Sequence, residues 1–245
     1  MQVKTCSICG KREALVKRTI SGEYICKPCL DKVVKKNAKR SLAKTRILKE
    51  GMRIIVHTTW LAPTPSLIAA RIVPRVESRY RTKLYLAVPS DMMGYLDAGV
   101  ESLYERVILY NYRIERDGIG ECLEEDISSA VENALRQGAE AVITPYPLFL
   151  LAKTGLYSMF SGNKSLLHLS KPVQNRSGIP LVSALYNMES ELITLYAHVN
   201  GIPLLDPKPA CRDYGAREVL LNVLGESREV EFNTLKTLIR LSELL

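Results

Sequence analysis

The sequence predicts an α/β protein: a parallel sheet covered by helices on both faces, preceded by a small module built on four cysteines. Three observations carry this reading. Short apolar, β-branched runs recur after residue 50 and alternate with stretches of helical periodicity, which calls for crossover connections and a parallel sheet. Four of the six cysteines sit in the first thirty residues as two Cys-x2-Cys pairs. The charge is lopsided: residues 1–50 hold 14 Lys and Arg against 4 Asp and Glu, a net +10 in a chain that is +8 overall, so the remainder carries −2. The expected boundaries are 1–30 for the cysteine module, 31–50 for a basic linker helix and 51–245 for the α/β domain with C-terminal helices.

Cys6 and Cys9 are separated from Cys26 and Cys29 by sixteen residues. That spacing suits a structural zinc ion, because each Cys-x2-Cys turn brings two thiolates to one tetrahedral ion. Two disulfides or unpaired buried thiols are the alternatives, but disulfides need an oxidising compartment and nothing suggests export. Four protein ligands leave no open position, so a catalytic zinc is not expected. Between the pairs, Ala14-Leu15-Val16 and Tyr24-Ile25 suit a small hairpin around Ser21-Gly22. A helix is expected from Asp31, a carboxylate suited to a helix start, to Lys49, with Gly51 as its stop. It carries Lys32, Lys35, Lys36, Lys39, Arg40, Lys44 and Arg46, with Val33, Val34, Leu42 and Ile47 as a thin apolar stripe. A localised basic face is either a solvated surface or the footprint of a phosphate-backbone ligand. Beside a zinc module, nucleic acid is the favoured reading.

Strands are expected at 52–58, 83–89, 107–110, 141–144 and 181–185. Helices are expected at 66–73, about 91–103, 121–137, about 147–160, 188–199, 213–224 and 230–244. No apolar run approaches the 18 or so residues of a membrane span, and the first residues lack the apolar region of a signal peptide, so a cytoplasmic protein is expected. In such a sheet ligands bind beyond the carboxyl ends of the strands, and the first strand–loop–helix turn is the place for phosphate. Here that loop has no glycine between Met52 and Gly94 and has two prolines, Pro63 and Pro65, which donate no N–H. His57, His168, His198, Cys122, Cys211 and Asp206 are the reactive side chains in view. No acid–base or nucleophile–base pair among them is evident at motif level.

The order of features resembles the cytosolic tRNA 2-thiolation proteins, N-type ATP pyrophosphatases with a PP-loop. The resemblance rests on the runs Cys6–Arg18 and Ser21–Cys29, on Asn187–Ile202 and on Tyr214-Gly215-Ala216-Arg217-Glu218. It implies a PP-loop-like (HUP-type) α/β domain behind a zinc module. The family's Ser-Gly-Gly-Lys-Asp-Ser loop would fall at about His57 to Ser66 and is absent. Its Thr-Gly-His-Asn-Ala-Asp-Asp motif would fall at Thr144 to Leu150, where only the threonine remains. Its three site cysteines would be matched only by Cys122 and Cys211. The resemblance is therefore greatest to the non-catalytic second thiouridylase subunit. It implies a pseudoenzyme that takes no ATP and no iron–sulfur cluster, binds tRNA and pairs with a catalytic PP-loop paralogue, or forms a homodimer. A zinc-bearing RNA or ribosome adaptor and an ATP-dependent tRNA thiolase with a rebuilt site are the alternative functions.

Overall fold

The computed structural model describes residues 4–19, 21–45, 48–78, 80–114, 116, 118–208 and 228–244. Strands β1 (Val16–Lys17) and β2 (Tyr24–Ile25) pair antiparallel with Val16 opposite Ile25, the hairpin that the turn residues predict. Helix α1 runs Lys27–Thr45, so it starts four residues before Asp31. Pro28 explains the early start, since a first-turn residue needs no amide. The Cys26 carbonyl meanwhile accepts from the N–H groups of Cys29 and Leu30. Cys29 therefore lies on the helix, and the metal-binding turn and the basic helix are one continuous piece. Leu30, Val34, Ala38 and Leu42, four residues apart, form the buried stripe. Ile47, expected in that stripe, lies outside the described residues.

The main sheet has the order β5-β4-β3-β6-β8-β7, with β3 (Arg53–His57) and β6 (Ala141–Thr144) at its centre. β4 (Lys83–Pro89), β5 (Arg106–Tyr110) and β8 (Ile179–Ser183) join them in parallel. β7 (Val173–Arg176) runs antiparallel to β8, so the sheet is mixed at one edge. The sequence reading missed β7. Its signal is the two-residue turn Ser177-Gly178, with φ of 51° and 80°, the positive-φ pair that tight hairpins require. The helix expected over 91–103 is instead two short 3-10 turns, Met93–Tyr95 and Glu101–Leu103. Gly94 and Gly99 break the periodicity there, and Gly99 takes φ +86°.

Helices α2 (Pro63–Glu77), α3 (Ile119–Arg136), α4 (Leu148–Phe160), α5 (Ser190–Asn200) and α6 (Arg228–Leu244) complete the described fold. The expected helix at 213–224 lies outside the described residues. Alternate residues of β3 face opposite cores: Ile54 and Val56 pack with α1, α2 and α5, whereas Ile55 packs with α3 and α4. The first core is continuous from Cys6, Ile25 and Cys26 through Leu30 and Val34 to the sheet. Polar contacts reinforce that junction. Arg18, beside the hairpin, bonds Glu189, and the Thr19 N–H bonds Glu191 at the start of α5.

Candidate functional site

The four N-terminal cysteines come together as expected. Their Sγ atoms all lie within 4.8 Å of one another, and Cys9 and Cys26 are 3.9 Å apart. Sulfurs about 2.3 Å from a shared tetrahedral ion stand about 3.8 Å from each other, so the set can hold a single ion such as zinc. Burial favours the neutral thiol at Cys6, but backbone groups of Cys26, Cys9 and Ile8 overcome it and bring that thiol down to about 6. Burial and the neighbouring sulfurs push Cys29 up to about 12. Four thiols this close cannot ionise together unless a cation sits among them.

On α1, Lys32, Lys36, Lys39 and Arg40 are exposed and Lys35 is half-buried. Lys44 lies on the same helix, and Arg46 is outside the described residues. The exposed cations stand opposite the buried stripe, because both follow from the same helical period.

A second assembly sits at the carboxyl ends of the central strands, where the first loop leaves β3. His57 ends β3, Asp126 comes from the middle of α3, and Tyr146 follows β6. All three are essentially without solvent exposure. Asp126 accepts from the Thr59 hydroxyl at 2.7 Å and from the Tyr146 hydroxyl at 2.7 Å, and its Oδ1 lies 3.2 Å from His57 Nε2. The His57 ring stacks on Tyr110 at 5.5 Å. Burial pushes the Tyr146 phenol well above its ordinary range, and the Asp126 carboxylate pushes the same way. The loop is closed by its own hydroxyls: the Thr59 N–H donates to Ser66 Oγ, and the Leu61 N–H donates to Thr59 Oγ1. A histidine held by a carboxylate on one nitrogen presents the other as a place to take or give a proton. Here that nitrogen, Nδ1, is buried with no hydrogen-bond partner among the described residues. The His57–Asp126 pair was missed because its members lie 69 residues apart. Asp126 is an acid within an amphipathic helix, and only the topology brings it to the sheet.

The segment after α5 returns across this loop. Leu205 N–H donates to Thr64 Oγ1 at 2.8 Å, and Thr64 Oγ1 donates to the Pro203 carbonyl. Lys208 bonds Asp91 and lies 4.9 Å over the Trp60 ring, while the Trp60 indole N–H donates to Asp91 at 2.7 Å. Burial alone would raise the Asp91 carboxyl, but the bonds from Lys208 and Trp60 outweigh it and hold it below its ordinary range. The Asp206-Pro207-Lys208 stretch thus makes specific contacts that the sequence did not suggest.

The other reactive candidates are scattered. Cys122 is buried one turn before Asp126 and donates to the Arg116 carbonyl. His168 lies against Arg176, which also bonds Glu124. His198, expected in the core, is exposed. Cys211 and the Tyr214–Glu218 run lie outside the described residues. Among the described residues no other group of three or more His, Cys, Asp and Glu could hold a metal.

No family model matches the chain. The cytoplasmic tRNA 2-thiolation protein 1 of Debaryomyces hansenii is 21% identical over 221 residues, 79% of this chain and 58% of that protein. Its namesake from Laccaria bicolor is 27% identical over 106 residues, 42% of this chain and 29% of that protein. The chain thus spans well under two thirds of these relatives. The U34-tRNA thiolase NcsA from Methanococcus maripaludis, solved with its [4Fe-4S] cluster, matches all of this chain and 89% of its own with a TM-score of 0.76 at 14% identity. The structural match shows that the chain shares the α/β fold of that thiolase, and the sequence matches support kinship with thiolation proteins.

They also correct two expectations. The chain was expected to be a pseudoenzyme and to take neither ATP nor an iron–sulfur cluster. The relatives are thiolation proteins, and the structure matched over the whole chain is itself a thiolase with its [4Fe-4S] cluster, so neither expectation stands. They rested on glycines, acids and a third site cysteine missing at fixed positions in the sequence. The polar groups at the strand ends are instead His57, Thr59, Asp126 and Tyr146, gathered from three separate parts of the chain.

Proposed function

We propose that the chain is a cytoplasmic tRNA-binding component of uridine 2-thiolation. Its relatives are named cytoplasmic tRNA 2-thiolation protein 1, and no described helix is long and apolar enough to cross a membrane. The observation that carries the reading is the exposed cationic face of α1, which begins within the four-cysteine turn and is packed onto the α/β core. Lys32, Lys35, Lys36, Lys39 and Arg40 hold the RNA backbone, and Lys44 and Arg46 of the same basic run belong to the proposal. Cys6, Cys9, Cys26 and Cys29 hold an ion that fixes the start of that helix. A PP-loop chain as heterodimer partner belongs to the same proposal.

The test is filter binding of tRNA across a salt series. The triple variant Lys32→Ala, Lys36→Ala, Arg40→Ala is expected to bind on the order of tenfold or more weakly. Its slope of log affinity against log salt should be shallower by about 2 to 3, since each lost phosphate contact removes somewhat less than one counterion. An unchanged slope would remove α1 as the contact.

A further inference from the structure

The ends of α1 and α2 enclose a cleft of about 180 Å3, lined by Lys39, Leu42, Lys49, Val76, Glu77 and Tyr80. Its walls are apolar and its rim is cationic, with Lys39 and Lys49 both exposed. Tyr80 stands 42% exposed beside it. Glu77 is the anomaly. It is 3% exposed, and its carboxyl makes no hydrogen bond or ion pair with any described residue. Burial raises that carboxyl above its ordinary range. A largely buried carboxyl with no partner among the described residues is an acceptor pair left for a group that enters the cleft. Glu77 also borders a second, wider cleft of about 460 Å3 that includes Arg75 and Arg81, both exposed. An acceptor pair at the bottom of an apolar slot, with cations on either side, fits a planar, donor-bearing group on an anionic strand.

We propose that this cleft takes one unpaired guanine of an RNA strand, its Watson–Crick edge against the Glu77 carboxylate and its flanking phosphates on Lys39 and Lys49. The proposal rests on α1 being the RNA face. Guanine is the base that offers two adjacent donors, N1–H and N2–H, to the two oxygens of a carboxylate. Cytosine and adenine set one amino group beside a ring acceptor, and uracil flanks its one N–H with two carbonyls, so each opposes an oxygen of Glu77 with an acceptor. Tyr80 supplies a ring face at the mouth, where single-stranded bases stack.

The experiment uses the full chain and short fluorescent uridine oligomers carrying a single central guanine, adenine, cytosine or uridine, read by anisotropy. The guanine oligomer is expected to bind about tenfold tighter than the others, the discrimination typical of a bidentate contact. Glu77→Gln, which keeps the shape of the side chain but turns one acceptor into a donor, should abolish the preference for guanine. Lys39→Ala should weaken all four alike. Equal binding of the four oligomers by the unaltered chain overturns the guanine subsite, as does preference for another base or a preference that survives in Glu77→Gln. In those cases α1 remains the RNA face as long as binding falls with salt. Absence of binding to all four overturns both.

Discussion

Asp126 accepts from Thr59 and Tyr146 and faces His57, side chains borne on the strands and loops of both halves of the sheet. Replacing it by Ala strands those partners in a fully buried site. The expected cost is about 3–5 kcal/mol, the range for leaving several buried polar partners of a carboxyl unpaired. Tyr146→Phe removes one donor and should cost about 1–3 kcal/mol. Urea denaturation checks both, and a Tyr146→Phe loss equal to that of Asp126→Ala would mean that the phenol, not the carboxylate, organises the cluster. Glu77 gives a prediction of opposite character. Its folded-state acid is raised by burial, so the unfolded chain gives up this proton at lower pH than the folded chain. Between the two values the folded state binds more protons. Stability therefore falls as pH rises through that window and is restored in acid. Melting curves from about pH 4 to 7 should lose this component in Glu77→Gln, which should also melt higher at neutral pH. Neither residue was legible in the sequence. Each is an acid in an amphipathic helix, with nothing local to separate it from Glu124 or Glu132, which lie on the surface or half-buried.

The metal-binding turn and α1 were the most legible elements, because thiolate spacing and charge are local properties. The start of α1 was misplaced at Asp31, because the first-turn preference of Pro28 was not read. That difference has consequences, because Cys29 now belongs to both the ion site and the helix. Cys26→Ser should therefore release the ion and fray the helix together. Metal analysis should find one ion per unaltered chain and less in the variant, and circular dichroism should show lost helix. Ion binding of this kind is worth on the order of 10 kcal/mol in small thiolate modules. Retention of full helicity by an ion-free variant would mean that the apolar stripe of Leu30, Val34, Ala38 and Leu42 suffices. The β7–β8 hairpin was missed because Val173-Gln174-Asn175-Arg176 is polar for a strand. It sits at the sheet edge with its residues half-buried or exposed, where packing sets little of the sequence.

At the scale of the molecule, the alternation of strands and helices was enough to give a parallel sheet with two covered faces, because crossover connections leave few other arrangements. What it could not give was which side chains meet at the strand ends. That depends on the order β5-β4-β3-β6-β8-β7, which sets α3 beside β3 although 62 residues separate His57 from Ile119 along the chain. The same order explains why motif positions misled: chemistry at a sheet end is assembled across strands, and an acid displaced from one loop can be supplied by a neighbouring helix.

The Pro203–Lys208 crossing places an ammonium over Trp60, and Trp60 is the chain's one tryptophan. The molecule therefore carries its own optical gauge at the mouth of the first loop. Light emitted by that indole comes from a single place, shielded and hydrogen-bonded to Asp91. Any event that lifts the crossing segment lets water reach the ring and should move its emission to longer wavelength, with Lys208→Ala as the reference for the lifted state. Whatever enters or leaves this end of the sheet can thus be followed without a label.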